Sequence, residues 1–424
     1  MNIYRNAEQA KNILTRGRFD DPEKVAAVRE IVDNVRRNGD KALFSYCKKF
    51  DGSDLSTETL RVSEREIEDA YREVDQAFLL SLRKAVKNVY DYHARNPMRE
   101  DIRTIGGRTT GYTVRPVRRA GIYVPGGTAP LSSSVLMGVL PAKAAGVKEI
   151  YAVTPAKNGS VNPATIVAAN ECGVTALFKA GGAQAIAALA YGTESIPKVD
   201  VIAGPGNIFV TLAKKEVYGE VGIDMLAGPS EILIIADKHQ KVKYVAADVL
   251  SQAEHDRLSR AIVLTDDYDF AERLCGEVEK QLEALPRKEI ARESLKNGGG
   301  VILTENLQQA CELANQIAPE HLEIATQNAD ELLNKIDCAG AVFLGSYTPE
   351  PVGDYFAGPD HILPTGGTAK FFQVLNQDVF LRKMSVIGYD KQAIVADGAD
   401  IVRLAESEML EAHANAVRVR LEDK

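Results

Sequence analysis

Followed for the spacing of apolar and polar positions, the chain changes texture about a quarter of the way along. From about residue 7 to 100, apolar positions recur at helical intervals among dense charge, as in Pro22–Arg37 and Ser63–Asn88. This opening quarter is expected to be mainly helical. From Thr113 onward, short apolar runs alternate with glycine-rich turns and amphipathic stretches. Gly121–Val124, Glu149–Thr154, Ala176–Lys179, Val199–Ala203 and Glu231–Asp237 read as buried strands, with helix-like segments between most of them. A second series, Ala261–Thr265, Gly300–Thr304, Leu322–Ala325 and Ala341–Leu344, is spaced by helical patterns such as Asp269–Leu285 and Leu307–Ile317. Repeated strand–helix units imply parallel sheets covered by helices. Pro349–Lys370, rich in Pro and Gly, reads as a long ordered loop, and such loops commonly carry function. The tail from Lys391 returns to helix, with Ala399–Arg418 as its longest expected element.

Composition narrows the class. At 424 residues the chain exceeds what one hydrophobic core organises, so two or more packed units are expected. Its 45% hydrophobic and 26% charged residues are those of an ordinary globular protein, which argues against disorder. The net charge of -8 disfavours a general nucleic-acid binder, which needs a basic footprint, and leaves a small molecule as the expected partner. Cys47, Cys172, Cys275, Cys311 and Cys338 are odd in number, widely spaced and free of any C-x-x-C pair, which points to reduced cytoplasm. Met1-Asn2-Ile3-Tyr4-Arg5 is polar, and no apolar run reaches the roughly 18 residues that cross a bilayer. Secretion and membrane insertion are therefore not expected.

Candidate chemistry centres on histidine. Of six, His93 and His239 sit in charged, unremarkable surroundings, while His255, His321, His361 and His413 each have a carboxylate or amide close by. In a helix, positions three apart share a face, so Gln252 and His255 can present an amide oxygen and an imidazole nitrogen to one ion. A single histidine beside acidic residues is usually a surface residue or a satisfied ion pair. Four such settings together favour a mixed N/O metal site, although no compact signature such as H-E-x-x-H is present. Tyr123–Pro130, Gly181–Gln184 and Ala203–Asn207 supply glycine-rich turns at successive strand ends. One such turn can serve only the sharp strand-to-helix reversal, but three in succession favour a ligand crevice. Neither G-x-G-x-x-G nor G-x-x-x-x-G-K-[ST] occurs, so any dinucleotide site must be non-standard.

Taken in order from about Thr113 to Val417, these segments resemble the histidinol dehydrogenase family. The stretches that carry the resemblance are Gly121–Pro130, Gly181–Thr193, Ala203–Asn207, Leu226–Glu231, Gln252–Asp256, Ala318–Glu323, Gly345–Thr365 and Glu408–Ala416. The resemblance implies one zinc per site on Gln252, His255, Asp354 and His413, and an acid/base pair on Glu320 and His321. It places further substrate contacts on Ser230, His361 and Glu408, and NAD contacts on Tyr123, Gln184 and Asn207. It also implies an intertwined homodimer in which Glu408 and His413 enter the partner's site. The implied reaction is the two-step, four-electron oxidation of L-histidinol through L-histidinaldehyde to L-histidine with two NAD, which ends histidine biosynthesis. In that scheme zinc holds the imidazole and amine of the substrate, His321 takes the alcohol proton, and Glu320 activates water for the second step.

Pattern and resemblance together give an α/β fold of two Rossmann-like, incomplete, doubly wound parallel-sheet units, with a helical N-terminal region and a helical C-terminal tail. The expected boundaries are an arm over 1–20, a first α/β domain from 21–122 with 231–375, a second over 123–230, and a C-terminal helical dimerisation segment over 376–424. Two other readings stand beside this one: a related zinc and NAD dehydrogenase acting on another small polar alcohol, and a zinc-containing scaffold without catalysis. A cysteine thiohemiacetal in the second step is disfavoured, because Cys275 and Cys311 fall in amphipathic helix patterns and no thiol lies in the matched stretches. The chain departs from many relatives at Phe371–Gln377, outside the matched site residues.

Overall fold

The computed structural model describes residues 1–15, 21–95, 97–126 and 131–422. Two compact units emerge, one built from 1–95 and 118–380, the other from 96–117 and 381–424. The first contains two parallel sheets. The larger has the order Asn2–Tyr4, Gly299–Leu303, Arg260–Thr265, Glu231–Ala236, His321–Ala325 and Ala341–Leu344. The smaller has the order Ala176–Phe178, Glu149–Val153, Arg119–Tyr123, Val201–Ala203 and Gly222–Ile223. All nine strands expected from the apolar runs are present, with ends shifted by no more than two residues.

Burial on both faces explains why those runs are continuous rather than alternating. In the central strand Glu231–Ala236, Ile232 and Ile234 pack with Val249, Phe270 and Leu274 on one side of the sheet. Leu233 and Ile235 pack with Ala314, Ile324 and Leu332 on the other.

The grouping of the N-terminal helices differs from expectation. Pro22–Asp51 packs on Gly182–Tyr191 and Ile208–Val217, Glu64–Glu73 on Pro163–Cys172, and Gln76–Ala94 on Ser132–Ala145. These helices thus cover the smaller sheet, whereas the sequence groups 21–122 with 231–375. Val28, Val32, Val35, Leu43 and Cys47 join Tyr123, Val153, Phe178 and Ile186 in one core. An amphipathic stripe says that a helix must be covered, not which sheet covers it. The expected boundary at 122/123 also falls inside a strand, Arg119–Tyr123, that lies between Glu149–Val153 and Val201–Ala203.

The second unit holds an antiparallel sheet in the order Leu381–Tyr389, Arg108–Pro116, Asp101–Ile105, followed by two helices. None of its strand residues is fully buried, so the apolar-run signal is missing, and the segment from 376 opens with a 3-10 turn, Gln377–Phe380, and the strand Leu381–Tyr389 before its helices. The single helix expected over Ala399–Arg418 is two, Lys391–Ser407 and Glu411–Glu422. The chain turns between them where Met409 adopts φ 60°. Arg418 spans the corner, donating to Glu406 and to Glu411, which holds the turn that helical periodicity does not disclose. Within the expected loop Pro349–Lys370, Glu350–Tyr355 forms a short helix and Thr368–Lys370 a 3-10 turn.

Candidate functional site

Residues flanking strands of both sheets of the first unit line one cavity. The cavity, of 620 Å³, is lined by Gly206 and Asn207, just past the C-terminal end of a smaller-sheet strand, by Ser230, Glu231 and Arg260, at the N-terminal ends of larger-sheet strands, and by His255, just past the helix Val242–Ala253. Glu320 and His321 open the strand next to Glu231–Ala236, with His321 in register with Ile232.

That register places both side chains on the backbone of one residue, Glu231. The Glu231 N–H donates to Glu320 Oε2 at 2.8 Å, and His321 Nδ1 lies 3.1 Å from the Glu231 carbonyl oxygen. A carbonyl only accepts, so Nδ1 carries the proton and the Nε2 lone pair is free. Nε2 has no hydrogen-bond partner and lies 3.9 Å from Asp354 Oδ1. Burial holds His321 below the usual imidazole range, which keeps the ring neutral, against the pull of Asp354. Burial, and after it the carboxylates of Glu231, Glu350 and Asp354, holds Glu320 well above the usual carboxylate range. Two neighbouring groups are thereby poised as proton acceptors of different strength.

Beside them, ligand atoms of His255, Glu350 and Asp354 all lie within 4.8 Å of one another. Asp354 is pushed up to about 7 by burial and then by Glu350, and Glu350 to about 8 by burial. Ser251 Oγ donates to Glu350 Oε2 at 3.3 Å. Gln252 is fully buried, yet neither its Oε1 nor its Nε2 has a hydrogen-bond partner. A buried and a half-buried carboxylate that crowd an exposed imidazole, with an unsatisfied buried amide three residues from that imidazole in sequence, fit a divalent cation better than they fit one another. His255 lies beyond the helix Val242–Ala253 rather than on it, and its N–H donates to the Gln252 carbonyl at 3.3 Å. Glu350 was not legible as a candidate, although its position four residues before Asp354, one helical turn away, could have marked it.

Of the three glycine-rich turns only the third, through Gly206 and Asn207, lines this cavity, and of the first Gly127–Pro130 fall outside the described residues. Tyr123 is buried, its hydroxyl accepting from the Gly182 N–H at 3.1 Å, and burial pushes it up to about 12. Gln184 is buried under the same turn. Asn207 Oδ1 caps the helix Ile208–Val217, accepting from Phe209 and Val210 N–H at 3.0 and 3.2 Å. Gly204 has φ 120°, and a Cβ there would stand 2.2 Å from the Tyr123 carbonyl oxygen. A buried ion pair grips the same residue: its N–H donates to Asp224 Oδ2 at 2.8 Å, while Lys214 Nζ donates to its carbonyl at 3.0 Å.

Of the remaining expected site residues, Ser230 lines the cavity. His361 Nδ1 lies 3.1 Å from the Asp354 carbonyl oxygen and Nε2 3.4 Å from Ser134 Oγ, and burial pushes the ring down to about 4. Glu408 and His413 belong to the second unit, where both are exposed around a groove of 630 Å³. Leu404, Met409 and Leu410 are exposed at the same corner. Cys47, Cys172 and Cys311 are buried, and burial pushes the first two thiols up to about 12. His93, set aside in the sequence, is buried. No helix among the described residues is long and apolar enough to cross a membrane.

Comparison with known proteins gives consistent matches. The sequence profile described as histidinol dehydrogenase matches residues 14–421. The histidinol dehydrogenase of Caldanaerobacter subterraneus subsp. tengcongensis is 51% identical over 408 residues, covering 96% of this chain and 95% of that protein. That of Carboxydothermus hydrogenoformans is 49% identical over the full length of both. The crystal structure of histidinol dehydrogenase from Elizabethkingia anophelis superposes with a TM-score of 0.94 at 40% identity, covering 100% of this chain and 98% of that one.

Proposed function

Since the chain belongs to the histidinol dehydrogenase family, we propose that it oxidises L-histidinol to L-histidine in two hydride transfers, the last step of histidine biosynthesis. The observation that carries this reading is the buried pair Glu320 and His321, both held by the backbone of Glu231, beside a cation-competent cluster.

In the first step the substrate hydroxyl gives its proton to His321 Nε2 as hydride leaves the same carbon for NAD, so alcohol becomes aldehyde. His321 can take that proton because Nδ1 is already committed to the Glu231 carbonyl. The Asp354 carboxylate nearby stabilises the imidazolium that forms. In the second step Glu320 draws a proton from water as it adds to the aldehyde, and the hydrate passes a second hydride to NAD. Burial raises Glu320 above the ordinary carboxylate range, which makes its ionised form a stronger base than a solvated carboxylate. Cysteine is not required, and no thiol belongs to the cluster.

Zinc fits the donor set, with Gln252, His255 and Asp354 from one subunit and the partner's His413 as ligands. When bound it would act as a Lewis acid that holds the imidazole and amine of histidinol, its non-reacting end. Ser230, His361 and the partner's Glu408 would complete the substrate's surroundings. The exposed apolar corner at Leu404, Met409 and Leu410 supports dimerisation, since a patch of that kind on the unit carrying Glu408 and His413 calls for cover. Tyr123, Gln184 and Asn207 would receive NAD, and the setting is cytoplasmic.

A count of NADH formed per histidinol consumed by the metal-loaded protein tests the reading. Two is expected, falling to nothing on strong chelation and returning with zinc. Turnover of other small polar alcohols in preference to histidinol would replace it with a related specificity.

A further inference from the structure

The helix Gln76–Ala94 turns Leu79, Leu82, Ala85 and Val89 toward the core, and His93 ends that stripe. An imidazole at a core position needs a polar partner. Its Nε2 has no hydrogen bond and faces Asp360 Oδ2 at 3.8 Å, which has none either. The two side chains are 2% and 0% exposed. The other carboxyl oxygen, Asp360 Oδ1, accepts the Ile362 N–H at 2.7 Å.

The same helix end touches this loop at two further points. Asn88 Nδ2 donates to the Phe356 carbonyl at 3.0 Å. Gly358, at φ 116°, comes so close that a Cβ would lie 2.9 Å from Tyr92 Cβ and 3.1 Å from the Asn88 carbonyl oxygen. Residues 88, 92 and 93 therefore hold positions 356, 358 and 360 of a segment that starts at Asp354 and reaches His361. Within it, His361 closes back on the Asp354 carbonyl.

We propose that His93 and Asp360 are a buried positioning pair that fixes the segment 354–362 and so aims His361, and with it Asp354, at the substrate. This rests on the histidinol reading for what the segment holds, but not for the pairing itself. Burial drives both members to their neutral forms, holding Asp360 well above the carboxylate range and pushing His93 down to about 4. Asp224 adds to the upward pull on Asp360. The protonated carboxyl then donates to Nε2 across a gap that a sub-ångström shift of the loop closes. Neither residue touches substrate in this scheme.

The test uses the full-length, metal-loaded protein carrying His93→Leu, Asp360→Ala, both together, or Asp360→Asn. Asparagine keeps an oxygen for the Ile362 N–H and an N–H for His93, so it should stay within about threefold of wild type. His93→Leu and Asp360→Ala should each raise KM for histidinol tenfold or more, leave KM for NAD within twofold, and speed amide hydrogen exchange across 354–362. The double variant should be no worse than the poorer single, because either change already breaks the pair. Independent, multiplying effects would overturn the pairing. So would an Asp360→Asn variant as impaired as Asp360→Ala, or an exchange pattern in 354–362 unchanged by His93→Leu. If the wild type oxidised no histidinol, the functional reading would fall while the exchange result still decided the pair.

Discussion

Glu320→Gln separates the two oxidations. Glutamine has the same shape, and its carbonyl oxygen can still accept the Glu231 N–H that now lies 2.8 Å from Glu320 Oε2, so the strand pairing and His321 should stay in place. Only the capacity to take a proton is lost. A positioned general base contributes roughly 10²- to 10⁴-fold, or about 3–5 kcal/mol of barrier. Burial strengthens Glu320 as a base, so a loss near the middle of that range, about 10³-fold, should fall on the second step alone. His321 remains to take the alcohol proton, so histidinol consumption should persist within roughly tenfold of wild type. The assay is product stoichiometry under single-enzyme turnover with an aldehyde trap present. NADH per histidinol should fall from two toward one, with trapped histidinaldehyde making up the difference. Two NADH per histidinol at an undiminished rate would refute the role of Glu320. Equal loss of both steps, with unchanged metal content, would refute the division of labour between the two bases.

Three further outcomes follow from the same geometry. His321→Asn should abolish the first step, by roughly 10²-fold or more, while leaving zinc content unaltered by elemental analysis, since the ring lies outside the assigned ligand set; loss of metal would make it a ligand instead. In the metal-free protein burial pushes Asp354 and Glu350 up to about 7 and about 8, above their ordinary 3.8 and 4.5, so the stability their protonation contributes is complete below about pH 4 and is lost as pH rises through 7–8. At about 1.4 kcal/mol per pKa unit each contributes several kcal/mol, not additively, so the urea midpoint of chelated protein should fall between pH 5.5 and 8.5 and zinc should restore it; a rising midpoint without metal would contradict the buried carboxylates. Lys214→Met leaves Asp224 charged and buried without its partner and releases the Gly204 carbonyl, which should cost about 3–5 kcal/mol in urea unfolding and raise KM for NAD. Unchanged stability would mean that Asp224 finds another partner.

Much of this was written into local pattern. The buried strands announced themselves because a strand covered on both faces must be apolar throughout, and Ile232 to Ile235 satisfy that without reference to anything distant. The glycine turns were legible for a similar reason: Gly204 at φ 120°, with Tyr123 within reach of any Cβ, admits no other residue easily. The order of the motifs was enough to identify the family, and it pointed to Glu320 and His321 as the pair to examine.

Tertiary structure alone decided what lies opposite what. Glu231 reads as an ordinary strand start, yet parallel pairing makes its backbone N–H and carbonyl the fixture for both Glu320 and His321. Glu350 joins His255 and Asp354 only because a short helix forms inside a stretch that looks like loop. The helices of 22–94 chose the smaller sheet, and His93 went from a charged neighbourhood in sequence to the core beside Asp360. Local periodicity states which face of an element must be buried; it carries no record of the partner, because contacts between residues hundreds of positions apart are chosen by the packing of the whole chain.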